Sequence, residues 1–513
     1  KVYCKTFFVN YNSVNNNFPF VSIVTDSLNL FDNDSGIFIP GKYYDETGWD
    51  SWWPAGNYSL KGNEWERAVH FDFFTGNKEL QIATNAGIRM HGCGSLTFPQ
   101  KSFKLYFRNE YGMKEIDFPI FKDIETTVFK RLIFRNSGND FLETHFRDAL
   151  LQFLLKDIDI EIQGFQPCQV FINGEYWGIY NIRERQDKYY FENRFDIPED
   201  SLILLGICGS EIVGSNLAYS ELVDFIIEND VDTDESFRYF DSVIDLRNFY
   251  DYNIAEIYYA NYDWPCNNNK FWKTTNANSK WRWLIYDLDL SFGYRKDSKY
   301  SYPSLQHATA EGVYSWPNCD CSTFLLRNLL KNETIKNKFV ERFAYHLNNT
   351  FETQKVLQAI AQFRELYKPV ISEHISRWSY PSEYYIWENN INTLCTFAEK
   401  RPCEMKQQII EFFNLDTFAF QCNYPDLSKL YQHEIKLFPN PSSGIITLFF
   451  DRHRQVECQI EVYDIWGQKV FSDNAILIGH EIQLDFSRLI NGMYFLRANI
   501  SDEQLHGKFL ISK

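Results

Sequence analysis

Two short polar segments interrupt strongly aromatic sequence in the middle of the chain. The segment NYDWPCNNNKFW places Asp263 five residues before Asn268, and the later segment WLIYDLDLSFG ends an apolar run with Asp287 and Asp289. Transfer of a phosphoryl group needs a carboxylate aimed at the attacking hydroxyl and hard oxygen ligands for a divalent metal. Asp263 is therefore a candidate catalytic residue, and Asn268, Asp287 and Asp289 are candidate metal ligands.

Each of these segments, taken alone, is also typical of a turn. An aspartate followed five residues later by an asparagine occurs by chance in long chains, and Asp-x-Asp is common at turns. The order of the two segments and the apolar strand between them favour a site, so both interpretations stay open. Asn267 and Asn269 are further candidate ligands, although the spacing favours Asn268.

The segment HGCGSLTFPQKSFKLYF contains groups that suit phosphate. Gly92, Gly94 and Ser95 predict a turn before a strand, and such backbone can approach phosphate closely. With a period of two, Lys101 lies on the apolar face of that strand and Lys104 lies on the other face. A lysine on an apolar face is costly unless it pairs with an anion, which makes Lys101 a candidate nucleotide ligand. Alternatively, Lys101 precedes the strand and extends to water.

The elements around these segments predict an α+β chain. Residues 1–18 form a polar lead-in, and residues 19–425 form a large domain. The large domain is divided into a β-rich lobe at about 19–200 and a helical lobe at about 201–425. Residues 434–513 contain short strands separated by turn signals, which is typical of a small all-β sandwich.

Local patterns support this division. The Asn173-Gly174 pair between two β-rich runs predicts a hairpin with a type I′ turn. The segment THFRDALLQFLLKDI has its leucines on one helical stripe, and residues 218–262 and 322–415 also have helical patterns. The two acidic segments are thus predicted to follow a helix and a strand of the second lobe.

The composition describes a globular, acidic chain. It has 513 residues, of which 44% are hydrophobic and 18% aromatic, and its formal net charge is -17. Because phosphate binding along a nucleic acid needs a basic face, this charge argues against nucleic acid as the main partner. The chain contains no run of about 18 apolar residues, so no transmembrane segment is expected. The chain begins at Lys1 without a methionine, and we expect a mature chain whose targeting segment has been removed.

The eleven cysteines form an odd count, so at least one is expected to be free or paired outside the chain. One or two bridges would suit an oxidising compartment, but the sequence does not pair them. Cys319 and Cys321 are too close in sequence for an easy mutual bridge. The sequence contains no Cys-x-x-Cys pair, which argues against a structural zinc site.

Residues from about 19 to 415 resemble the CotH family, the spore-coat-protein-H type of atypical protein kinase. The matching segments follow the family's order: SIVTDSLNLFDNDSGIFIPG, AGIRMHGCGSLTFPQKSFKLYF, RNSGNDFLETHFRDALLQ, VFINGEYWGIYNIRERQDKYYF, ANYDWPCNNNKFW, WRWLIYDLDLSFG and FAEKRP. The resemblance implies a divergent protein-kinase-like fold. It also implies ATP and Mg²⁺ or Mn²⁺ as cofactors, and phosphorylation of a protein substrate on serine or threonine.

The resemblance assigns roles to individual residues. Asp263 matches the family's catalytic aspartate. Asp287 matches the metal-binding aspartate, with Asp289 as a second candidate, and Asn268 lies where a metal-binding asparagine is expected. Lys101 matches the nucleotide-binding lysine of the family's Pro-x-Lys-Ser segment.

Three further positions match the family with less defined roles. Glu184 corresponds to a glutamate near the nucleotide cleft, which either meets adenine or pairs with the lysine. Asp140 and Arg147 correspond to a pair that stabilises a helix start. The family's Arg-Gly-Asn-Ser-Ser-like loop reads MHGCGS here, so His91 and Cys93 alter the expected phosphate-binding loop.

The last 80 or so residues resemble the C-terminal sorting domain of type IX secretion cargo. The matching segments are LFPNPSSG, EVYDIWGQKVF, LINGMYFLRA and KFLIS. The resemblance implies a Gram-negative cell, the type IX secretion machinery as a partner, and export through the periplasm to the cell surface or the medium. The alternative is a small β-sandwich used for adhesion.

Two functions therefore compete. The first is a secreted or surface kinase that transfers the ATP γ-phosphoryl group to a protein hydroxyl. The second is a non-catalytic surface protein that uses a kinase-like scaffold to bind glycan or protein, because ATP is scarce outside the cell and 13 tryptophans suit sugar stacking. Retained Asp263, Asn268 and Asp287 favour the enzyme.

Overall fold

The computed structural model describes residues 5–9, 18–48, 53–295, 299–312, 317–422, 436–465, 467–500 and 503–513. Most of the predicted lead-in and the junction between the two predicted domains therefore lie outside the described residues. The chain divides into two compact units. One comprises Lys1–Trp387 and Thr393–Asn423, and the other comprises Glu388–Asn392 and Tyr424–Lys513.

Seven strands of the first unit close a barrel. The strands described in this unit are β1 (Phe20–Val24), β2 (Arg67–Phe74), β3 (Leu80–Met90), β4 (Phe103–Tyr106), β5 (Ile116–Asp117), β6 (Val128–Phe129), β7 (Arg131–Arg135), β8 (Phe165–Ile172), β9 (Glu175–Arg183), β10 (Leu202–Leu205), β11 (Glu211–Val213), β12 (Lys270–Thr274) and β13 (Arg282–Leu284). The barrel order is β1-β2-β3-β4-β7-β9-β8. The parallel pairing of β1 with β8 closes it, and its other pairs are antiparallel.

The barrel core follows from alternation along the strands. Phe103 on β4 and Phe134 on β7 are directly paired, and their rings stack with centroids 4.8 Å apart. Both side chains are fully buried, as are Val21 and Phe71. Because neighbouring residues of a strand point to opposite faces, Lys104 points away from this core.

The β8–β9 hairpin has the turn that its sequence predicts. Asn173 and Gly174 have φ angles of 50° and 86°, so both lie in the left-handed region that a type I′ turn requires. The Asn173 side chain also accepts a hydrogen bond from the Thr25 N–H at 2.9 Å. The hairpin turn is therefore tied to the end of β1, the strand that closes the barrel.

The chain also contains helices, which carry the predicted helical patterns. The helices described are α1 (Ser27–Phe31), α2 (Arg147–Phe153), α3 (Lys188–Phe195), α4 (Leu217–Glu228), α5 (Asp234–Val243), α6 (Leu246–Tyr259), α7 (Ser304–Ala308), α8 (Asp320–Leu329), α9 (Glu333–Asn348), α10 (Thr353–Tyr367), α11 (Ile371–Trp378) and α12 (Tyr384–Phe413). Helix α6 begins at Leu246 and is capped by Asp245, whose side chain accepts a hydrogen bond from the Asn248 N–H at 3.1 Å. Its residues are buried except Arg247, so α6 is the central helix of this region.

A four-stranded sheet lies within the region predicted as a helical lobe. Its order is β11-β10-β12-β13, and its strands have only three to five residues each. Strands this short leave no clear period in the sequence, whereas the long helices around them do. The α+β class is confirmed. The predicted β-rich part contains the closed barrel, the predicted helical part contains this sheet as well as helices, and the division into two kinase-like lobes stays a prediction.

Two disulfides cross-link the described part of the first unit. Cys208 is bonded to Cys321, and Cys266 is bonded to Cys319. The expected one or two bridges are thus present, and Cys319 and Cys321 are bonded to other partners rather than to each other. Both bridges join segments far apart in sequence, with separations of 113 and 53 residues.

In the second unit, the described residues from 436 onward form strands and turns without a helix, as predicted, whereas Glu388–Asn392 belongs to α12. Its strands are β14 (Lys436–Phe438), β15 (Ile445–Tyr463), β16 (Lys469–Asp485), β17 (Gly492–Ile500) and β18 (Glu503–Ile511). Hydrogen bonds join all five in one sheet, in which β15 pairs with β14, β16 and β17. The two-layered arrangement of a sandwich stays a prediction. Among the described residues of the whole chain, no helix has the length and apolar character needed to span a membrane.

Candidate functional site

The first acidic segment departs from the end of α6. The helix ends at Tyr259, and Ala260 turns the chain with a left-handed φ of 53°. The buried guanidinium of Arg401 donates hydrogen bonds to the carbonyl oxygens of Ile257 and Tyr258, at 2.8 and 2.9 Å. A helix leaves its last carbonyls unpaired, so a cation is favourable there. Arg401, from the segment FAEKRP, therefore fixes the point at which the loop begins.

The Asp263 loop, residues 261–269, orients its carboxylate with asparagine side chains. Asn261 Oδ1 accepts a hydrogen bond from the Asp263 N–H at 3.0 Å. Asn267 Nδ2 donates to both carboxylate oxygens at 3.1 Å, and Asn268 Nδ2 donates to Oδ2 at 2.8 Å. The Asp263 side chain is only partly buried. The asparagine run of the sequence therefore holds a carboxylate that a reacting group can reach.

Strands β12 and β13 bring the second acidic segment to this loop. Lys270 lies opposite Leu284, so residues just before β12 lie beside residues just after β13. As a result, Asn268 Nδ2 lies 3.4 Å from the carbonyl oxygen of Asp287. Asn268 and Asp287 have left-handed φ angles of 52° and 60°, which Asn and Asp tolerate better than most residues. Asp263, Asn268 and Asp287 thus belong to one hydrogen-bond network.

Asp287 and Asp289, the acidic pair, share one cation. Arg135 Nη2, at the end of β7, donates to Asp287 Oδ1 and to Asp289 Oδ2, the latter at 2.6 Å. The Asn139 N–H also donates to Asp289 Oδ2, at 2.8 Å. Burial and the neighbouring Asp287 carboxylate raise the pKa of Asp289 to about 8, although Arg135 and Asn139 oppose this shift. A Cβ on Gly138 would come within 1.9 Å of Asp289 Oδ2, so this approach needs glycine.

Asp148, a buried residue of α2, contacts the backbone of the acidic pair. Asp148 Oδ1 accepts a hydrogen bond from the Leu288 N–H at 3.0 Å. Arg183 Nη2, from the barrel strand β9, donates to Asp148 Oδ2 at 2.7 Å. The backbone between the two acids is therefore fixed to both a helix and the barrel.

Asp140 and Arg147 form a stabilising pair. Arg147 Nε donates to Asp140 Oδ1 at 3.1 Å, and the Arg147 N–H donates to Asp140 Oδ2 at 3.0 Å. Both side chains are fully buried. Arg147 Nη1 also donates to the Phe292 carbonyl oxygen at 2.7 Å. The pair joins the start of α2 to the segment that follows Asp289.

Glu256 is a buried carboxyl of α6 beside the Asp263 loop. Its Oε2 accepts a hydrogen bond from Asn261 Nδ2 at 2.8 Å, while Oε1 has no partner among the described residues. Burial, with repulsion from Asp263, Asp148 and Asp287, raises the pKa of Glu256 to about 8 despite the hydrogen bond from Asn261. As a neutral carboxyl, Glu256 holds Asn261, which in turn holds the Asp263 backbone.

Replacement of Glu256 by glutamine is expected to raise stability at pH 8 but not at pH 5. The folded chain keeps the Glu256 proton up to about pH 8, whereas the unfolded chain loses it near the ordinary glutamate value. The wild type therefore loses stability as pH rises through this window, and Glu256→Gln does not lose this contribution, on the order of 3 kcal/mol. Urea unfolding at pH 5 and pH 8 measures the difference. Glu228→Gln, at the exposed end of α4, is the control. If the free energies of unfolding of Glu256→Gln and the wild type differ by the same amount at both pH values, Glu256 is not a buried neutral carboxyl.

Among the described residues, no hydrogen bond or ion pair joins Lys101 to the acidic pair. Lys101 precedes β4, as the alternative reading of the sequence has it, but it is buried and does not extend to water. Its Nζ donates to the Phe98 carbonyl oxygen at 2.7 Å and lies 4.8 Å from the centre of the Tyr58 ring. Burial lowers the pKa of Lys101 to about 8. A carbonyl and an aromatic face thus satisfy this lysine without an anion.

Glu184 is likewise engaged elsewhere. It is buried and accepts hydrogen bonds from Arg194 Nε at 3.0 Å and from the Gly164 N–H at 2.7 Å. Within the part of the chain that the structure describes, no hydrogen bond or ion pair joins Glu184 to Lys101. These contacts give Glu184 a structural role, and its predicted place at the nucleotide stays untested.

Gly92, Gly94 and Ser95 form the turn that was predicted between β3 and β4. Gly92 has a left-handed φ of 124°, and a 3-10 turn begins at Gly94. A Cβ on Gly94 would come within 2.7 Å of the Trp53 ring, so this glycine allows close packing of the tryptophan. The turn is confirmed, and its contact with phosphate stays a prediction.

Lys104, Arg185 and Lys270 form a cation group that the sequence analysis did not select. Lys104 is half-buried, and burial together with the charges of Arg185 and Lys270 lowers the pKa of Lys104 to about 7. Lys270 begins β12, two residues after Asn268, and its Nζ lies 4.3 Å from the centre of the Tyr286 ring. Lys104 and Lys270 form no salt bridge with any described residue. The alternation along β4 indicates this position of Lys104 in the sequence, because it places Lys104 on the face opposite the core.

His91 is within electrostatic range of the cation group and of Arg135. Burial lowers the pKa of His91 well below its ordinary value, and repulsion from Lys104, Arg135, Arg185 and Lys270 adds to this effect. Arg135 is the residue bonded to both carboxylates of the acidic pair. The cations and the acids therefore border the same region of the molecule.

The side chains at this site fit a divalent metal bound together with a phosphate ligand. Asp287 and Asp289 offer carboxylate oxygens, and Asp287 Oδ2 accepts no hydrogen bond from any described residue. The bond of Arg135 to both acids shows that the acidic pair attracts positive charge. Among the described residues, these acids do not form a three-carboxylate cage. Mg²⁺ commonly takes only one or two protein carboxylates and completes its shell with phosphate oxygens and water.

A family model described as CotH kinase protein matches residues 88–405. The chain belongs to this family. A second model, described as a secretion system C-terminal sorting domain, matches residues 436–512 of the chain. This CotH protein is therefore a kinase-like protein with a type IX sorting domain, which directs it to the cell surface or outside the cell. No curated protein matches the chain.

Solved structures with partial similarity include two bacterial proteins. Dimeric latent PorU from Porphyromonas gingivalis shares 24% sequence identity over 15% of this chain, with a TM-score of 0.13. The chain spans only 9% of the length of that PorU chain. The proinflammatory kinase CtkA from Helicobacter pylori shares 11% identity over 61% of this chain and 95% of its own, with a TM-score of 0.29. Both scores are low, so the family assignment depends on the family model alone.

Proposed function

We propose that this CotH protein is a secreted or cell-surface protein kinase that transfers the γ-phosphoryl group of ATP to a serine or threonine of a protein substrate. One observation carries the proposal. A single hydrogen-bond network joins Asp263, Asn268 and Asp287, which come from two separate segments of the chain. Phosphoryl transfer needs this combination of an oriented carboxylate and adjacent oxygen ligands.

Asp263 acts on the attacking hydroxyl in this proposal. Its two carboxylate oxygens are held by Asn267 and Asn268 at 3.1 and 2.8 Å, so the side chain is oriented before the substrate arrives. An oriented carboxylate accepts the proton of the serine or threonine hydroxyl as the oxygen attacks. Asn261 and the neutral Glu256 behind it keep the loop backbone in place.

Asp287 and Asp289, with Asn268, are assigned as ligands for Mg²⁺ or Mn²⁺. The metal, when bound with ATP, would neutralise charge on the β- and γ-phosphate oxygens. The Asp148 hydrogen bond to the Leu288 N–H and the hydrogen bonds of Asn139 hold the two aspartates in position.

Lys104, Arg185 and Lys270 are assigned to the phosphates. Burial and the charge of Arg185 lower the pKa of both Lys104 and Lys270, although the Asp187 carboxylate opposes this shift in each, and neither lysine forms a salt bridge among the described residues. Cations that repel one another in a partly buried site are stabilised by an anion, and a triphosphate is a strongly charged one. Lys101, which the resemblance assigns to the nucleotide, is then a structural residue bonded to Phe98.

The first test is thermal unfolding of the full chain with ATP plus Mg²⁺ or Mn²⁺. A ligand that binds only the folded chain stabilises it, by about 2.7 kcal/mol when its concentration is 100 times the Kd. We expect a metal-dependent rise in the unfolding temperature for the wild type. Asp287→Ala is expected to lose most of that rise, because it removes a metal ligand. Asp224→Ala, an exposed acid of α4, is the control and is expected to keep the rise.

The opposite result would favour the competing function. If the wild type shows no rise with either metal at millimolar ATP, the nucleotide site does not form. The chain would then be assigned as a non-catalytic surface protein that binds glycan or protein on a kinase-like scaffold. A rise that persists in Asp287→Ala would instead remove Asp287 from the ligand set.

A further inference from the structure

Four cysteines converge beside the Asp263 loop. Cys266 lies within that loop and is bonded to Cys319, the residue that caps the start of α8. Cys321, in the first turn of α8, is bonded to Cys208 in the turn between β10 and β11. Three segments that meet only in the fold are therefore joined covalently next to a candidate catalytic loop.

The two bridges are in direct contact with each other. Cys208 Sγ lies 3.9 Å from Cys319 Sγ, and Cys319 Sγ lies 3.7 Å from Cys321 Sγ. A thiolate attacks a disulfide at sulfur, so a thiolate formed from one bridge has a target in the other at van der Waals distance. The Cys321 residue is exposed, which gives a reductant access to the cluster.

Cys266 lies close in sequence to Asp263 and to the asparagines that orient it. It follows Asp263 by three residues and precedes Asn268 by two. Its N–H donates to the Pro317 carbonyl oxygen at 2.8 Å, so one hydrogen bond and one disulfide hold this point of the loop to the segment that leads into α8. Loss of the covalent tether would leave the two asparagines that orient Asp263 on a less restrained backbone.

We propose that Cys208, Cys266, Cys319 and Cys321 form a thiol–disulfide exchange centre that controls the Asp263 loop. A dithiol reductant supplies two electrons and two protons to the Cys208–Cys321 bridge, which becomes two thiols. The Cys208 thiol loses its proton, and the thiolate attacks Cys319 Sγ. A Cys208–Cys319 bond forms, the Cys266–Cys319 bond breaks, and Cys266 leaves as a thiolate that takes up the proton.

The bridges link the state of the Asp263 loop to the redox compartment that holds the chain. This inference rests on the proposed function, because the loop is assigned there to phosphoryl transfer. Thiols stay reduced in the cytosol and form bridges in oxidising compartments. A chain that has not yet been exported would therefore carry a loosened Asp263 loop. Formation of the two bridges during export would assemble the loop for nucleotide binding.

Two double variants of the full chain separate the roles of the bridges. Cys266→Ser with Cys319→Ser removes the loop tether, and Cys208→Ser with Cys321→Ser removes only the other bridge. We expect the first variant to bind Mg·ATP at least about 10-fold more weakly and to exchange the amide hydrogens of residues 261–269 at least about 10-fold faster. The matched variant is expected to stay within about twofold of the wild type in both measurements.

Partial reduction of the wild type tests the exchange step itself. After limiting dithiothreitol and rapid alkylation, peptide mapping is expected to find Cys208 linked to Cys319 and Cys266 alkylated. Absence of that linked peptide, or equal behaviour of the two double variants, would overturn the proposal, as would a chain with four thiols and one bound zinc. If the oxidised wild type fails to bind Mg·ATP, the proposed function fails, while hydrogen exchange and peptide mapping still decide the exchange centre.

Discussion

Replacement of Asp263 by asparagine is expected to slow phosphoryl transfer about 10²–10⁴-fold while the affinity for Mg·ATP stays within about twofold. An amide has nearly the same shape as the carboxylate but does not accept the proton of an attacking hydroxyl. The base is therefore lost, whereas the metal ligands on the other segment remain. The measurement is the single-turnover transfer of labelled γ-phosphate from ATP to a serine-rich acceptor such as casein, beside the thermal shift with Mg·ATP.

Asn267→Ala is a control with a smaller expected effect than Asp263→Asn. Asn267 donates to both carboxylate oxygens at 3.1 Å, so Asn267→Ala keeps the base but removes part of its orientation. We expect that variant to lose about 10-fold in rate, far less than Asp263→Asn. A wild-type rate in Asp263→Asn would exclude Asp263 as the base. A parallel loss of Mg·ATP affinity would show that Asp263 is a ligand instead.

The acidic part of the site could be predicted from sequence because its elements are local. Asp263 and Asn268 lie on one loop, and Asp287 and Asp289 follow one short strand. The antiparallel pairing of β12 with β13 is then enough to bring the loop and the strand end together. Arg135 could not be found this way, because it is 152 residues from Asp287 and reaches it only through closure of the barrel.

Glu256 and Glu184 show that the contacts of a buried acid are hard to predict from sequence. Glu256 lies on a helix among core residues, and nothing in its sequence neighbourhood marks an acid that faces Asn261. Glu184 matches a family position, but its partner is Arg194 on the following helix. The choice of ion-pair partner depends on which long side chains the folded backbone brings within reach, and spacing alone does not determine that.

The assignment of Lys101 to the nucleotide depends on the energetic cost of burying a lysine, and more than one kind of neighbour can offset that cost. A lysine buried on an apolar face needs compensation, and an anion is one way to provide it. In the structure, the Phe98 carbonyl and the Tyr58 ring provide it instead. At Lys104, burial and the charges of Arg185 and Lys270 disfavour the charged amine, and the Asp187 carboxylate opposes them only in part. The same reasoning therefore points to an anion at Lys104 once the neighbours are known.

Lys104→Met and Lys101→Met are expected to have opposite effects. Lys104→Met removes a repelled cation, so the free chain should become more stable while its affinity for Mg·ATP falls about 10–100-fold, the worth of one charged hydrogen bond. Lys101→Met removes the bond to Phe98, so the free chain should become less stable while its affinity stays within about threefold. Isothermal titration with Mg·ATP and urea unfolding of each variant measure the two quantities.

The pH dependence of nucleotide binding tests the same assignment independently of stability. The pKa of Lys104 is lowered to about 7 in the free chain, chiefly by burial, and bound phosphate would raise it. As pH rises above 7, wild-type affinity is therefore expected to lose the part that depends on a charged Lys104, a contribution of up to one proton taken up per nucleotide bound. Release of the Asp289 proton to bind the metal opposes this uptake equally in every variant. Lys104→Met should lose the Lys104 contribution, so its net uptake is expected to be lower than that of the wild type by up to one proton, whereas Lys101→Met should match the wild type. The net proton uptake is measured by titration in buffers of different ionisation enthalpy. An uptake that is unchanged in Lys104→Met but lowered in Lys101→Met would return the phosphates to Lys101 and make Lys104 the structural lysine.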